Sequence, residues 1–402
     1  MNREHDDSPG RTLDRRRVLG LLGLGAGTLA VAGAGGLTWR AVDSGVYATA
    51  RGSAYAAWNE WNPPEASVLN LVRAAVLAAN AHNTQPWLFR VEPDRIDLYA
   101  DMTRGIGTMD PLHRELDVSL GCALENLVLA GPPNELAPAV TLLPDPARPE
   151  LIARIGLIHA ARSQSSLFAA IGKRHTDRGA YDTGRPLSPE TREAITGLLD
   201  PDTTPDTVRL AWLTGADGHT FGDLTVRATE AINADAHQAA DDFAWYRTSR
   251  QKIQSTKDGV TIDASGRPPL IRAAAKLLGT SRQQNADGWL RATRDSQVAT
   301  AAAFGILVAR DARDRVQRLQ VGRSWQRMHL WATGEGLAVQ PLNQVLERMD
   351  RESTAGLPPR FTDATAALLP SGWHPVMAFR IGYPTGDALP SPRRPAEDVR
   401  LR

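Results

Sequence analysis

Cysteine is almost absent from this sequence. The 402 residues include only Cys122, so no intramolecular disulfide can form and a cysteine-based metal cluster is excluded. Neither an HExxH nor a CxxC spacing occurs, and the nine histidines do not cluster at metal-ligand spacing. The thiol lies in an apolar helical stretch at 116–131, where a free cysteine behaves as a small buried hydrophobe. We therefore expect a core thiol and no metal site.

The chain also lacks an excess of charge of either sign. Lys and Arg total 46 against 45 Asp and Glu, which argues against nucleic-acid binding driven by bulk charge but is compatible with a local anion pocket. Hydrophobic residues make up 42% of the chain, enough for a sizeable core. The length suits two domains or one large domain.

A targeting pattern occupies the N-terminal region. A polar stretch at 1–13 precedes three arginines at 15–17, and an uncharged run rich in glycine and alanine follows at 18–37. This order is typical of a twin-arginine (Tat) export signal, although Asp14 and Val18 differ from the usual motif. The run is just long enough to span a bilayer. We expect Tat export to an extracytoplasmic location, with the segment either cleaved or kept as a membrane anchor; a cytoplasmic location is the alternative.

A second pattern competes with this interpretation. Gly25, Gly27 and Ala30 fit the GxGxxA fingerprint of dinucleotide-binding folds. That fingerprint needs a preceding strand and a following amphipathic helix. Here the strand would begin on the three arginines, and the residues at 30–42 have no helical amphipathic pattern. The sequence favours the export signal over a Rossmann-type domain.

The rest of the chain alternates helical and extended patterns. Ser67 is suited to cap a helix at 68–81, whose apolar positions recur at the helical period. Alternating apolar and polar residues predict strands at 86–92 and 95–101, and an apolar helix follows at 115–129. The second half has a comparable order, with helices predicted at 165–172, 221–233 and 317–333 and strands at 207–215, 303–310 and 376–384.

Two of these helices align with each other. Placing Gly121 on Gly322 matches apolar positions along both stretches, at an offset of 201 residues, half of the 402-residue chain. An internal repeat and a chance match of two amphipathic helices both remain open.

The polar segment at 247–295, which Gly and Pro interrupt, is too long for an ordinary connection. It has two interpretations, a loop that covers a pocket and a plain surface insertion.

The segment at 80–87, Asn-Ala-His-Asn-Thr-Gln-Pro-Trp, lies between a predicted helix and a strand. Asn83 and Gln85 each offer a donor and an acceptor, which could recognise the edge of a planar heterocycle. Ordinary turn chemistry is the alternative, since Asn, Thr and Pro are common turn residues.

Two arginine-containing segments are candidates for an anion site. The first, at 173–178, carries four groups that can be cationic, and the arginine fork fits phosphate oxygens. A solvated basic turn, or pairing with Asp177, is the alternative. The second places Arg393 and Arg394 between prolines at 390–395, which stiffens the segment; a disordered tail is the alternative.

Together these segments resemble the nitroreductase superfamily, and most closely its actinobacterial Acg-type group. The resemblance covers roughly residues 51–402. It implies a flavin mononucleotide (FMN) site whose ring lies near 83–87 and whose phosphate is held by the two arginine segments. The implied cofactor-binding residues are Asn80, His82, Asn83, Gln85, Arg174, His175, Thr176, Arg178, Gln340, Pro341, Leu342, Arg393 and Arg394. The family usually has Pro-Ser before this run; here a ring-contacting hydroxyl is missing, and Asn80 is the candidate substitute.

The distribution of these motifs implies a fused pseudo-dimer. Family members are homodimers with FMN at the subunit interface, whereas this chain has the ring-side motif only in its first half and both phosphate motifs only in its second. The resemblance thus implies an α+β fold of two halves, each with a mixed or antiparallel sheet flanked by helices. We expect the signal or anchor at 1–50, the halves at 51–158 and 159–402, and one FMN site in a monomer with an internal pseudo-two-fold axis.

The implied activity is hydride transfer from NAD(P)H or another donor, through the flavin, to a small nitro, quinone or similar acceptor. The sequence singles out no catalytic residue, because the flavin itself carries such chemistry. A non-catalytic protein that binds or sequesters FMN is the alternative, motivated by the insertion at 247–295 as a cover over the flavin.

Deleting residues 1–50 tests the position of the cofactor site. If the site lies in 51–402, the truncated protein retains its FMN, measured by denaturing it and identifying the released flavin. A Rossmann site built on Gly25 and Gly27 instead predicts that the deletion abolishes cofactor binding.

Overall fold

The computed structural model describes residues 43–46 and 48–401. The predicted export signal and the glycine fingerprint lie outside the described residues. Within the part that is described, no helix has both the length and the apolar character needed to cross a membrane.

Helices are the most abundant regular elements of the described chain. Their bounds are α1 Ala57–Glu60, α2 Val68–Ala75, α3 Arg114–Ala130, α4 Ser166–Ala170, α5 Pro189–Thr196, α6 Gly215–Ala234, α7 Ala236–Ala244, α8 Arg250–Thr256, α9 Pro269–Leu278, α10 Arg282–Ala292, α11 Arg315–Gly334, α12 Gln344–Ala355 and α13 Arg360–Ala366. A π-helical turn, Thr293–Val298, extends α10.

The first half contains a four-stranded antiparallel sheet. Its strands are β1 Trp87–Glu92, β2 Arg95–Ala100, β3 Leu136–Leu142 and β4 Leu151–His159, in the order β1-β2-β4-β3. Strands β1 and β2 form a hairpin around the Pro-Asp turn, as the alternating sequence predicted. The free edge of β1 receives the C-terminal arm (residues 390–401), since Phe89 bridges Arg400 in parallel and its carbonyl accepts from the Leu401 N–H at 2.8 Å.

The second half contains another four-stranded antiparallel sheet. Its strands are β5 Val208–Leu213, β8 Ala303–Ala309, β9 Ala338–Pro341 and β10 His374–Gly382, in the order β5-β8-β10-β9. Every residue of β8 is buried, which explains its uninterrupted apolar sequence: α6 and α11 both pack against this strand. A short parallel pair, β6 Tyr246–Arg247 and β7 Val260–Thr261, lies in the insertion. The predicted α+β class is confirmed.

The long helices α3 and α11 pack against each other between the two sheets. An added Cβ at Gly121 would lie 2.2 Å from the Leu319 carbonyl oxygen, and one at Gly322 would lie 2.2 Å from the Val118 carbonyl oxygen. The contacts are reciprocal, and Leu319 follows Val118 by the same 201 residues that separate the glycines. Reciprocal contacts of this kind characterise a two-fold axis. Descent of the halves from a duplication remains a prediction.

Most predicted elements lie within a few residues of the observed ones, but one predicted helix is shorter and several observed elements were not predicted, among them α5, α12, α13 and β9. The helix predicted at 68–81 ends at Ala75, because Leu77 and Ala78 donate to carbonyls only three residues back and Asn80 is extended. Strands β3 and β4 were not predicted; β3 is an edge strand whose residues are partly or fully exposed and which contains Pro138, so its pattern is weak.

The segment at 247–295 is largely helical and covers a pocket. It contains α8, α9 and α10. Val260, Ser265, Arg267 and Trp289 from this segment line the cavity described below. Of the two interpretations left open by the sequence, the geometry supports the cover.

The substitution Gly121→Ala tests the close approach of the two helices. We expect it to lower the free energy of unfolding by about 1–3 kcal/mol, because the new methyl group overlaps a backbone carbonyl that cannot move independently. Gly334→Ala in α11 is the matched control: nothing lies within 4 Å of its added Cβ. Equal denaturant midpoints for the two variants would contradict the tight crossing.

Candidate active site

A cavity with about 1180 Å³ of empty space, part of it open to solvent, lies between the two halves. The first half contributes the loop at 79–82 and one face of α3, and the second half contributes the segments at 176–178 and 340–347. The insertion closes one side. No single half encloses this space.

The predicted cofactor residues divide into two groups in the structure. Those that line the cavity are Asn80, His82, Thr176, Arg178, Gln340 and Pro341. Those that do not line it are Asn83, Gln85, Arg174, His175, Leu342, Arg393 and Arg394. The Leu342 side chain is fully buried in the apolar core below β10, where its N–H donates to the Ala378 carbonyl at 2.8 Å.

The loop after α2 is held in an unusual backbone conformation. His82, Asn83 and Gln85 have φ angles of 47°, 56° and 54°, a region that non-glycine residues occupy at a cost. Two hydrogen bonds offset the cost of this conformation. Asn80 Oδ1 accepts from the Gln85 N–H at 2.8 Å, and Ser119 Oγ accepts from the Ala81 N–H at 3.0 Å. The loop thereby presents Asn80 and His82 to the cavity.

His82 pairs with an acid of the second half. Its Nε2 atom lies 2.9 Å from Asp242 Oδ1. Burial alone would lower the pKa of His82, but the hydrogen bond and charge of Asp242 outweigh it and raise the pKa. The imidazole is therefore biased towards its protonated form at the cavity wall.

Asn83 and Gln85 are bonded to the protein rather than exposed to the cavity. Asn83 Nδ2 donates to the carbonyls of Gly259, at 3.1 Å, and Pro392, at 2.9 Å. Gln85 Nε2 donates to the Lys257 carbonyl at 2.9 Å, and its Oε1 accepts from the Arg394 N–H at 2.7 Å. In this structure the two amides join the first half to the insertion and to the C-terminal arm.

Three arginines, two of them almost fully buried, form a cationic cluster beside the cavity. Arg174 is 1% exposed and Arg393 is 3% exposed, while Arg178 lines the cavity. Among the residues that the structure describes, none of the three forms an ion pair. Arg174 Nη2 donates to the Leu77 carbonyl at 3.0 Å, and Arg393 Nη2 donates to the Ala78 carbonyl at 3.2 Å.

The electrostatics of this cluster show that negative charge is missing. Burial lowers the pKa of Arg174 to about 10, and the charge of Arg178 acts in the same direction. Burial, together with the charges of Arg174 and Arg178, holds the pKa of Arg393 well below its usual value. Burial, together with the charges of Arg174 and Arg393, lowers the pKa of His175 to about 3. In the described chain the Nε atoms of Arg174 and Arg393 and the Nδ1 atom of His175 have no hydrogen-bond partner. Such a donor set suits a buried phosphate or another multiply charged anion.

Trp58 was not singled out from the sequence but contacts this cluster. Its ring centroid lies 5.1 Å from Arg393 Cζ and 6.0 Å from Arg174 Cζ, and 4.6 Å from the His175 ring. Trp58 Nε1 also donates to the Ser391 carbonyl at 2.8 Å, which fixes the C-terminal arm. In the sequence, the only sign of it is the spacing of aromatic residues at 55, 58 and 61.

Two buried carboxyl groups on the cavity wall were also missed. Glu115 lies in the first turn of α3 and Glu347 in the first turn of α12, and each is 5% exposed. Burial and the neighbouring Glu115 raise the pKa of Glu347 well above its usual value; burial raises the pKa of Glu115 although Arg114 opposes the shift. No sequence motif includes either glutamate. The two residues are far apart in the sequence, and only the tertiary fold places both on the cavity wall.

The cysteine has the environment of a core thiol. Cys122 is 1% exposed, its thiol donates to the Gly322 carbonyl at 3.2 Å, and burial raises its pKa. A thiol with a raised pKa is a poor nucleophile at neutral pH.

Comparison with known proteins relates this chain to nitroreductases. No family model matches it. Two Mycobacterium tuberculosis proteins, "Putative NAD(P)H nitroreductase Rv3131" of strain H37Rv and "Putative NAD(P)H nitroreductase MT3217" of strain CDC 1551, are each 27% identical to it over 354 residues, 87% of this chain and 94% of theirs. The sequence is thus homologous to these proteins over most of its length, as the resemblance of its motifs predicted.

Solved nitroreductase structures are also similar to part of the chain. The FMN-dependent nitroreductase NfnB from Mycobacterium smegmatis, in complex with NADPH, is 16% identical and covers 59% of this chain and 97% of its own, with a TM-score of 0.35. A nitroreductase with bound FMN from Desulfitobacterium hafniense is 12% identical and covers 59% and 97%, also with a TM-score of 0.35.

The pH dependence of stability tests the environment of Glu347. A carboxyl whose pKa is raised in the folded state contributes stability below its unfolded pKa of about 4.3, and this contribution is lost as the pH rises through the folded pKa. Glu347→Gln should therefore gain stability relative to the wild type as the pH rises above about 4.3. Denaturant unfolding across that range measures the difference, and parallel profiles would show that Glu347 titrates normally.

Proposed function

We propose that this chain, a homologue of mycobacterial proteins named as NAD(P)H nitroreductases, is an FMN-dependent oxidoreductase that transfers hydride from NAD(P)H to a small nitro, quinone or similar acceptor. The observation that carries the proposal is the cluster of Arg174, Arg178 and Arg393 beside a cavity between the halves: two of its members are almost fully buried, and none forms an ion pair with a described residue. A buried charge without a partner is costly, and a bound anion removes this cost.

The residues present fit FMN. Arg174, Arg178 and Arg393 would hold its phosphate, since the buried Nε donors of Arg174 and Arg393 have no partner in the described chain and suit phosphate oxygens. Its planar ring would lie in the adjoining cavity against Asn80, His82 and the Gln340-Pro341 wall. When bound, FMN supplies two-electron chemistry, and the protein supplies orientation and electrostatics.

The insertion is suited to excluding water from this cavity. Asp258 in the insertion pairs with Arg104 of the first half, and Arg247 Nε donates to it at 2.8 Å. The Gly259 N–H donates to the Asn83 carbonyl at 3.0 Å, which ties the cover to the loop that presents His82. Exclusion of water strengthens every electrostatic interaction inside the cavity.

A single cofactor site in each chain is part of this proposal. The ring-side motif occurs only in the first half of the sequence and both arginine segments only in the second, which supports one FMN per chain in a monomeric pseudo-dimer. Two FMN molecules released per denatured chain would contradict this arrangement.

A second function, holding FMN without turnover, is favoured by the same covering insertion. The two functions differ in steady-state NAD(P)H oxidation with nitroaromatic or quinone acceptors. Acceptor-dependent turnover supports the oxidoreductase, whereas stoichiometric flavin without turnover supports a store.

We also propose Tat export, supported by the arginines at 15–17 before an uncharged run. Fusing residues 1–50 to a reporter that is active only after Tat transport tests it. Replacing all three arginines with lysine should abolish transport, and unchanged transport would refute the proposal.

Arg174→Gln tests the phosphate site. We expect it to weaken FMN binding about ten- to hundredfold, the range for a lost hydrogen bond to a charged group, while riboflavin, which has no phosphate, binds as before. Lys173→Gln is the matched control, because it removes a charge from an exposed neighbour in the same segment. An equal loss for FMN and riboflavin would show that Arg174 supports the fold rather than the phosphate.

A further inference from the structure

Two carboxyl groups from different halves meet at the cavity wall. Glu115 belongs to the first half and Glu347 to the second, and both line the cavity together with Asn80 and His82. Each of the two side chains is only 5% exposed, and the charge of Glu115 raises the pKa of Glu347. Two carboxyl groups buried at one cavity wall favour a state in which one of them keeps its proton.

The surroundings place this proton on Glu347. Arg114 Nη2 donates to Glu115 Oε1 at 3.3 Å and favours the ionised form of that carboxyl. Within the described chain, Glu347 has no ion-pair partner, and its buried Oε2 atom has no hydrogen-bond partner. A buried carboxyl without an ion-pair partner favours its neutral, protonated form.

The other acidic groups around the pair also favour the protonated carboxyls. Asp242 raises the pKa of Glu347 through its charge, and Asp110 raises that of Glu115. The opposing cations are Arg114, which faces both carboxyls, and His82, which faces Glu115. Arg114 Nε also donates to Asp350 Oδ2 at 2.9 Å. The positive charge of Arg114 is therefore shared between Asp350 and the two glutamates.

On the basis of the proposed function, we propose that Glu347 is a catalytic acid. It donates a proton to the acceptor, in addition to the hydride that the acceptor receives. Glu115 positions this proton. Conversion of a quinone to a hydroquinone takes one hydride, which brings two electrons and one proton, and one further proton. Here the O–H bond of Glu347 breaks and a new O–H bond forms on the quinone oxygen. The Glu347 carboxylate then regains a proton from solvent.

The test compares acceptors that need a proton with one that does not. In the FMN-loaded protein, reduced with NAD(P)H, Glu347→Gln should slow reoxidation by p-benzoquinone roughly a hundredfold, within the range for general acid catalysis. Ferricyanide accepts only electrons, so its rate should not change. Equal quinone rates for variant and wild type, or an equal slowing with both acceptors, would overturn the inference.

The control variant is Glu352→Gln. Glu352 is a buried glutamate of the same helix that accepts from the Phe361 N–H at 2.9 Å and does not line the cavity. We expect wild-type rates with both acceptors. Loss of the quinone rate in this variant as well would assign the effect to packing of α12 and overturn the role of Glu347.

Glu115→Gln tests the positioning role through the pH profile. Without the neighbouring negative charge, Glu347 should lose its proton at lower pH, so the quinone rate should begin to fall at lower pH than in the wild type. An unchanged profile would show that Glu115 does not hold the proton on Glu347.

Infrared spectroscopy of the purified protein separates this inference from the proposed function. A protonated-carboxyl band that disappears in Glu347→Gln supports the shared proton whether or not flavin is bound, and its absence at neutral pH overturns the inference. Failure of the wild type to bind FMN, or of NAD(P)H to reduce it, would instead overturn the proposed function and with it the donation step.

Discussion

Helices α3 and α11 pass so close to each other at Gly121 and Gly322 that a methyl group on either glycine would overlap a carbonyl oxygen of the other helix. This backbone contact fixes the distance and angle between the halves. The neighbouring polar contacts depend on it: Gln326 Nε2 donates to Asn126 Oδ1 at 2.8 Å, and Arg323 Nε to Glu125 Oε2 at 2.9 Å. The cavity is lined by one face of α3 together with segments of the second half.

A second constraint is the burial of positive charge. Arg174 and Arg393 are almost inaccessible, and carbonyl oxygens rather than carboxylates accept their hydrogen bonds. Carbonyl dipoles compensate for the lost hydration only in part, which is why burial dominates both pKa shifts. The buried arginines thus lower the stability of the fold, and a bound anion would restore it. Such a local loss of stability is common at binding sites.

The site is assembled from distant parts of the chain. The C-terminal arm returns to the first half, where the Arg393 N–H donates to the Ala54 carbonyl at 2.8 Å, and the insertion reaches the loop at 80–87 through Lys257 and Gly259. The amides of Asn83 and Gln85 join these three segments. A change in the loop would therefore be transmitted to both the cover and the arm, which links binding in the cavity to the order of its walls.

Local residue patterns were enough for the elements whose physics is local. Alternation predicted the β1–β2 hairpin and an uninterrupted apolar run predicted β8, because each signal lies within a few neighbouring residues. The arginines at 173–178 left a solvated turn and an anion site both open. Spacing could not determine which arginines are buried, that Trp58 joins them, or that Glu115 meets Glu347 across the halves. Those facts depend on the crossing of α3 and α11 and on the return of the C-terminal arm. Burial and long-range contact, which only the tertiary structure decides, turn ordinary surface residue types into charges with altered pKa values.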